Sequence, residues 1–225
     1  MQTIYAISDL HGYLPEIPEC DLLLIAGDIC PVWNHHIDTQ TLWMRSDFQD
    51  WLATIPAKHV IGIAGNHDFV LEKYPDFGKS IKGWEYLCDE RTEWEGLTIY
   101  GTPWVPTFGR WAYMMPDNLL NNKWENIPMD TDILLVHGPP YMTLDRVLGK
   151  GNFDPATGMF DKYAGSKTLL RHVEDRLHLK AIVCGHIHEA YGEMYMGHGK
   201  PRVYNVSHVD LAYNPDNKPR EVKLA

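Results

Sequence analysis

The stretch Val60-Ile61-Gly62-Ile63-Ala64-Gly65-Asn66-His67-Asp68 is a short apolar run that stops abruptly at a glycine followed by polar residues. An unbroken apolar run of this length is expected of a strand buried on both faces. Four other segments share the plan. Thr3-Ile4-Tyr5-Ala6-Ile7 ends in Ser8-Asp9-Leu10-His11, Leu22-Leu23-Leu24-Ile25-Ala26 in Gly27-Asp28, Ile133-Leu134-Leu135-Val136 in His137-Gly138, and Ala181-Ile182-Val183-Cys184 in Gly185-His186-Ile187-His188. Between them, Met44, Phe48, Trp51, Leu52 and Ile55 form one helical stripe over 39–55, and Leu169, Leu170, Val173 and Leu177 form a second behind Ser166, a predicted N-cap. Buried strands alternating with amphipathic helices predict an α/β layered fold. Residues 191–196 and 202–206 flank a Gly-His-Gly-Lys-Pro turn and are read as a hairpin. The aromatic, Gly- and Pro-rich stretch 84–124 has no clear periodicity.

With 20 basic and 30 acidic residues the chain carries a formal charge of −10, which argues against coating extended nucleic acid through a general phosphate-binding surface. It does not exclude a phosphate substrate, because bound cations reverse charge locally. At 225 residues, without linker, repeat or low-complexity tract, residues 1–225 are read as one domain. No apolar run is long enough for a spanning helix, the first residues lack a signal-peptide pattern, and Cys20, Cys30, Cys88 and Cys184 form no C-x-x-C pair. A cytoplasmic protein with reduced thiols and no membrane partner is expected. The oligomeric state has no signature in the sequence.

Residues able to bind metal follow each of the five runs: Asp9 and His11, Asp28, Asn66 and His67, His137, and His186 and His188. In an open α/β sheet, ligands bind outside the carboxyl ends of the strands. Two carboxylates, one amide oxygen and up to five imidazoles are thus expected at one edge. That oxygen and nitrogen mixture suits borderline divalent metals, and its size suits two ions rather than one. Any one of these blocks alone is an ordinary turn or polar strand end.

The series Asp9-x-His11, Gly27-Asp28, Gly65-Asn66-His67-Asp68, His137 and Gly185-His186-x-His188 resembles the five-block signature of calcineurin-like metallophosphoesterases, over about four fifths of the chain. The resemblance implies a four-layer α/β/β/α sandwich. It also implies a dinuclear centre with Asp9, His11 and His188 on one ion, Asn66, His137 and His186 on the other, and Asp28 bridging. Two divalent ions are expected, Mn²⁺ first, with Fe, Zn, Co or Ni as alternatives. His67 would not be a ligand: it would protonate the leaving oxygen while a metal-bridging hydroxide attacks phosphorus, the division of labour expected for an imidazole beside two cations. Asp68 is grouped with His67 as catalytic, orienting its ring, with a turn cap as the alternative.

Departures from neighbouring branches narrow the substrate. The serine/threonine phosphatase pattern G-D-x-x-D-R-G and R-G-N-H is broken here by Ile29-Cys30-Pro31-Val32-Trp33 and by Ala64, so no arginine stands ready to clamp a phosphomonoester dianion. Purple acid phosphatases place a tyrosine where this chain has Pro31. Residues 134–140, Gly165-Ser166, residues 185–192, Asn205-Val206-Ser207 and residues 214–219 resemble the MPPED/239AB-like metallophosphoesterases, of the class III cyclic-nucleotide phosphodiesterase type. A phosphodiesterase acting on small diesters is therefore expected. A nuclease or phosphomonoesterase of the same superfamily and a catalytically weak binding scaffold are the alternatives.

Other residues are assigned quieter roles. His35 and His36, which follow the Asp28 loop, are read as solvated turn residues, with a place near the substrate as the alternative, and His59, His172, His178, His198 and His208 as structural or exposed. Trp94, Trp104, Phe108, Trp111, Tyr113 and Trp124 are each read as core or sheet cover rather than as a platform for a nucleobase.

Overall fold

The computed structural model describes residues 2–149, 151–154, 159–175 and 177–224. In chain order, the strands of its two large sheets are Ile4–Ile7 (β1), Cys20–Ala26 (β2), Ala57–Ile63 (β3), Glu85–Tyr86 (β4), Glu90–Trp94 (β5), Leu97–Thr102 (β6), Ile133–Val136 (β7), Ala181–Cys184 (β8), Gly192–Tyr195 (β9), Arg202–Asn205 (β10) and Arg220–Glu221 (β11). The first sheet runs β11-β1-β2-β3-β4 and the second β9-β10-β8-β7-β6-β5. All five apolar runs are interior strands, each parallel to its neighbours except β1, which is parallel to β2 and antiparallel to β11. The expected hairpin is β9 with β10, antiparallel. The stretch without periodicity supplies β4, the β5–β6 hairpin and a helix, Asp117–Trp124.

Alternation along the strands sorts side chains into three apolar cores. Leu22, Leu24 and Ala26 of β2 face Ile133 and Leu135 of β7 and Ala181 and Val183 of β8, filling the space between the sheets. Leu23 and Ile25 point the other way, onto Met44, Phe48, Trp51 and Leu52 of the first helical stripe. That stripe consists of Ile37–Trp43 (α1), a wide π-helical turn Met44–Phe48, and Gln49–Thr54 (α2). Two short helices, Phe69–Lys73 (α3) and Pro75–Ser80 (α4), complete this layer. On the far side, Leu134, Val136 and Ile182 pack on Leu120 and Trp124 of Asp117–Trp124 (α5) and on Leu169 and Val173 of Lys167–Asp175 (α6). Three cores between four layers make the α/β/β/α sandwich. Each fully buried leucine contributes about 1.5–3 kcal/mol by leaving water. At the start of α6 the Ser166 hydroxyl accepts the Leu169 amide at 2.9 Å, the expected N-cap.

The sheets meet at their carboxyl edges. Ser8, just past β1, bridges Ser207, past β10: the Ser8 amide donates to the Val206 carbonyl at 3.0 Å and the His208 amide to the Ser8 carbonyl at 2.8 Å. The loops leaving both sheets are thereby brought to one place.

Candidate metal centre

The strand-end loops turn sharply, through backbone conformations that side chains rarely adopt. Asp9, His11, Asp28 and His186 have φ of 51°, 46°, 53° and 70°. Each left-handed residue costs about 1–3 kcal/mol, a strain typical of functional sites. Loop-to-loop hydrogen bonds hold the turns: the Asp9 amide donates to Gly27 at 2.9 Å and the His11 amide to Asp28 at 3.0 Å. Close approach also requires glycine. A Cβ on Gly185 would collide with the Ser8 and Asp9 side chains, and one on Gly65 with Asp28.

Two groups of side-chain atoms result. In the first, Asp9 Oδ1 lies 3.2 Å from His188 Nε2 and 3.9 Å from His11 Nε2, and the two imidazole nitrogens are 3.2 Å apart. In the second, His137 Nε2 lies 3.0 Å from Asn66 Oδ1. Asp28 stands between them. Its Oδ1 accepts the His67 amide at 2.7 Å, which turns Oδ2 toward His137 Nε2 at 3.4 Å, His11 Nε2 at 3.7 Å and His67 Nε2 at 4.0 Å. His186 sits slightly apart, its ring 5.1 Å from that of His137 while its amide donates to the Asp9 carboxylate.

These residues fit metal ions. Bonds of about 2.1 Å at tetrahedral or octahedral angles set neighbouring ligand atoms roughly 3.0–3.4 Å apart. His137 Nδ1 lies 2.8 Å from the Ala26 carbonyl and His188 Nδ1 3.2 Å from that of Asp210. A carbonyl only accepts, so in the neutral rings the proton sits on Nδ1 and the Nε2 lone pair faces the cluster. His11 Nδ1 is buried without a hydrogen-bond partner among the described residues. Electrostatics agree. Burial alone would raise the Asp9 and Asp28 carboxyls, but His188 beside Asp9, and His137 and His67 beside Asp28, outweigh it and hold both below the usual carboxylate range. Burial pushes His11 and His186 down to about 3, whereas at His137 the Asp28 charge outweighs burial and raises it to about 9.

The structure corrects the sequence expectations for Asp68 and His35. Asp68 does not serve the His67 ring: its oxygens accept the amides of Ile29, Cys30 and Gly65 at 2.7–3.2 Å, clamping two site loops together. This is the turn-capping alternative; a buried carboxylate beside three unpaired amides satisfies them first. His35 is not a solvated turn residue. It is half-buried, with Nε2 3.1 Å from His67 Nδ1.

Other contributors carried weaker signals. Gln40 is buried and donates to the His67 carbonyl at 2.7 Å while accepting the Val70 amide at 3.0 Å. It lies four residues before Met44, and a polar residue extending an apolar stripe is the signal that could have found it. Tyr213 (φ 62°) sets its ring 4.9 Å from that of His11 and 5.1 Å from that of His188. Of the aromatics read as core or sheet cover, Tyr113 and Trp124 are core, whereas Phe108 and Trp111 depart from that reading and line the pocket over the cluster.

A double-sheet sandwich whose strand ends gather aspartates and histidines around a shared carboxylate defines a class of protein, the metal-dependent phosphoesterases, hydrolases of phosphate esters. The family model described as calcineurin-like phosphoesterase matches residues 2–190, and the chain belongs to that family. It is 31% identical to metallophosphoesterase domain-containing protein 1 of Homo sapiens, over 97% of this chain and 69% of that protein. It is 30% identical to a UPF0046 protein of Caenorhabditis elegans, over 81% of this chain and 66% of the relative. A solved structure aligns with a TM-score of 0.61 over 100% of this chain and 99% of its own, at 13% identity, a likeness of fold. No helix among the described residues is long and apolar enough to cross a membrane.

Proposed function

We infer that this metal-dependent phosphoesterase hydrolyses small phosphodiesters. The observation that carries the reading is the wall of the pocket above the cluster. Phe108, Trp111, Val147, Ala164, Leu211 and Tyr213 line a cavity of about 280 Å³ together with Asp28, Asn66, His67, His186 and His188, and among the described residues no lysine or arginine lines it. A monoester dianion gains most from a bidentate cationic clamp; a diester has one charge fewer and two organic substituents to bury. The same apolar walls disfavour an extended nucleic acid, whose affinity rests on basic contacts to phosphate.

Asp9, His11 and His188 are assigned to one ion and Asn66, His137 and His186 to the other, with Asp28 shared and Mn²⁺ the proposed metal. When bound, a divalent pair stabilises the attacking and leaving oxygens of an in-line displacement and makes water a nucleophile near neutral pH. The chain supplies the rest. Asp28 is turned by its bond to the His67 amide so that one oxygen is shared between the two groups. The carbonyls of Ala26 and Asp210 keep the Nε2 lone pairs of His137 and His188 facing the cluster. His67, at the pocket wall, delivers the Nε2 proton to the leaving oxygen, and the apolar walls thin out the water around it.

A parallel assay with Mn²⁺ of bis-p-nitrophenyl phosphate, p-nitrophenyl phosphate and 2′,3′- and 3′,5′-cyclic nucleotides tests the reading. Higher kcat/KM on the diesters is expected. A strong preference for the monoester would overturn it.

A further inference from the structure

We propose that His35 is a positioning residue for the acid His67, and that this pair replaces the orienting role expected of Asp68. The proposal rests on the reading of His67 given above. His35 Nε2 lies 3.1 Å from His67 Nδ1, and the two rings are 5.2 Å apart, tilted by 49°. The far face of His67 is closed by Trp111, with ring centroids 4.4 Å apart. His35 is in turn braced by Phe69 and Trp111, at 5.5 and 5.3 Å between ring centroids. The ring of His67 is thus held by a wall on one face and a hydrogen bond on the nitrogen that points away from the cluster.

The consequence is which nitrogen carries the proton. When His67 is an imidazolium, its Nδ1–H donates to the His35 Nε2 lone pair. When it is neutral, His35 Nε2–H donates to the Nδ1 lone pair and leaves the proton on His67 Nε2. In both states Nε2 carries its hydrogen. The imidazolium is the form that gives it up to the leaving oxygen, which leaves a neutral ring protonated on Nδ1, and in the resting neutral ring the tautomer bare at Nε2 is disfavoured. A neutral ring partner does this without placing another carboxylate beside Asp28.

The test compares two metal-loaded variants on two diesters. His35→Phe keeps the ring packing on Phe69 and Trp111 but removes the hydrogen bond; His35→Gln restores a polar group at about the same reach. One substrate is bis-p-nitrophenyl phosphate, whose leaving group needs little protonation, and the other an alkyl diester, which needs it fully. His35→Phe should lose about tenfold or more in kcat on the alkyl diester and clearly less on the aryl one, with KM moving little. His35→Gln should recover most of the alkyl loss. Equal losses on both diesters, no loss on the alkyl diester, or no recovery by His35→Gln would overturn the proposal. If His67→Ala still separates the two substrates in that case, the function assigned to the site survives. If the wild-type protein turns over neither diester, both fall together.

Discussion

His11 and His188, which lie 177 residues apart in the chain, point their Nε2 atoms at one another across 3.2 Å. One proton can satisfy such a pair, and a cation held by both lone pairs satisfies it better. Asp9 Oδ1, 3.2 Å from His188 Nε2, supplies the negative charge such a cation needs. Burial keeps His11 neutral, so its lone pair is free at neutral pH. A metal held by these residues would tie the loop after β1 to the loop after β8, strands of different sheets, so its binding would be coupled to the stability of the sandwich.

Chelation should therefore loosen the fold as well as remove activity. Metal-free protein titrated with Mn²⁺ should gain about 2–3 kcal/mol at a hundredfold excess over Kd, about 5–10 °C in Tm for a chain of this size. Metal analysis should give about two ions per chain in the wild type, and loss of both in Asp28→Ala, because Asp28 is shared. An unchanged Tm, or a full complement in Asp28→Ala, would contradict this assignment.

Metal uptake should release protons. His137 is raised to about 9 by Asp28, and His188 is raised above its ordinary value, with burial opposing and Asp9 prevailing. Both must be neutral to offer Nε2 to a metal, so at pH 7 the incoming ion displaces at least one proton. Affinity should rise about tenfold per pH unit per proton released between about pH 7 and 9, and level off above that range. Calorimetry in buffers of different ionisation heat counts the protons directly; a heat independent of buffer would contradict the expectation.

Gly65→Ala should damage the site while sparing the fold. The added Cβ would meet the Asp28 carboxylate and backbone, and the His137 ring at 2.7 Å. Neither neighbour can retreat without disturbing the shared carboxylate. Far-UV circular dichroism should stay native, stability should fall by about 1–3 kcal/mol, and metal affinity and turnover should fall at least tenfold. Native metal affinity in this variant would show that Asp28 has room to move.

Asp68→Ala should act mainly through stability. It leaves the amides of Ile29, Cys30 and Gly65 without their acceptor, at a cost of about 3 kcal/mol, or roughly 6–12 °C in Tm. Asp68→Asn, which keeps one acceptor oxygen, should recover part of it. Because the role is to clamp loops, the loss of turnover in Asp68→Ala should be similar for alkyl and aryl diesters, unlike that of His67→Ala. A leaving-group dependence in Asp68→Ala would reinstate it as an orienting partner of the acid.

Much of this was legible in local sequence. Burial on both faces forces strands such as Leu22–Ala26 and Ala181–Val183 to be apolar throughout, and each chain segment carries its own polar terminus. Helical spacing and the Ser166 cap are likewise short-range features. The β5–β6 hairpin was not legible because β5, Glu90–Trp94, lies at the edge of its sheet and alternates half-buried with exposed residues, so it carries no apolar run.

By itself, then, the chain determined the central strands, the helical stripes and the set of chemically capable residues, because these depend on neighbours a few positions away. Only the tertiary structure decided which capable residue does what. Asp68 turned to three amides, His35 rather than Asp68 met His67, and Phe108 and Trp111 rather than Trp124 reached the pocket. Those outcomes are set by distances between loops of different strands, and a side chain settles on whichever unsatisfied partner packing brings within hydrogen-bond reach, which no spacing along the chain encodes.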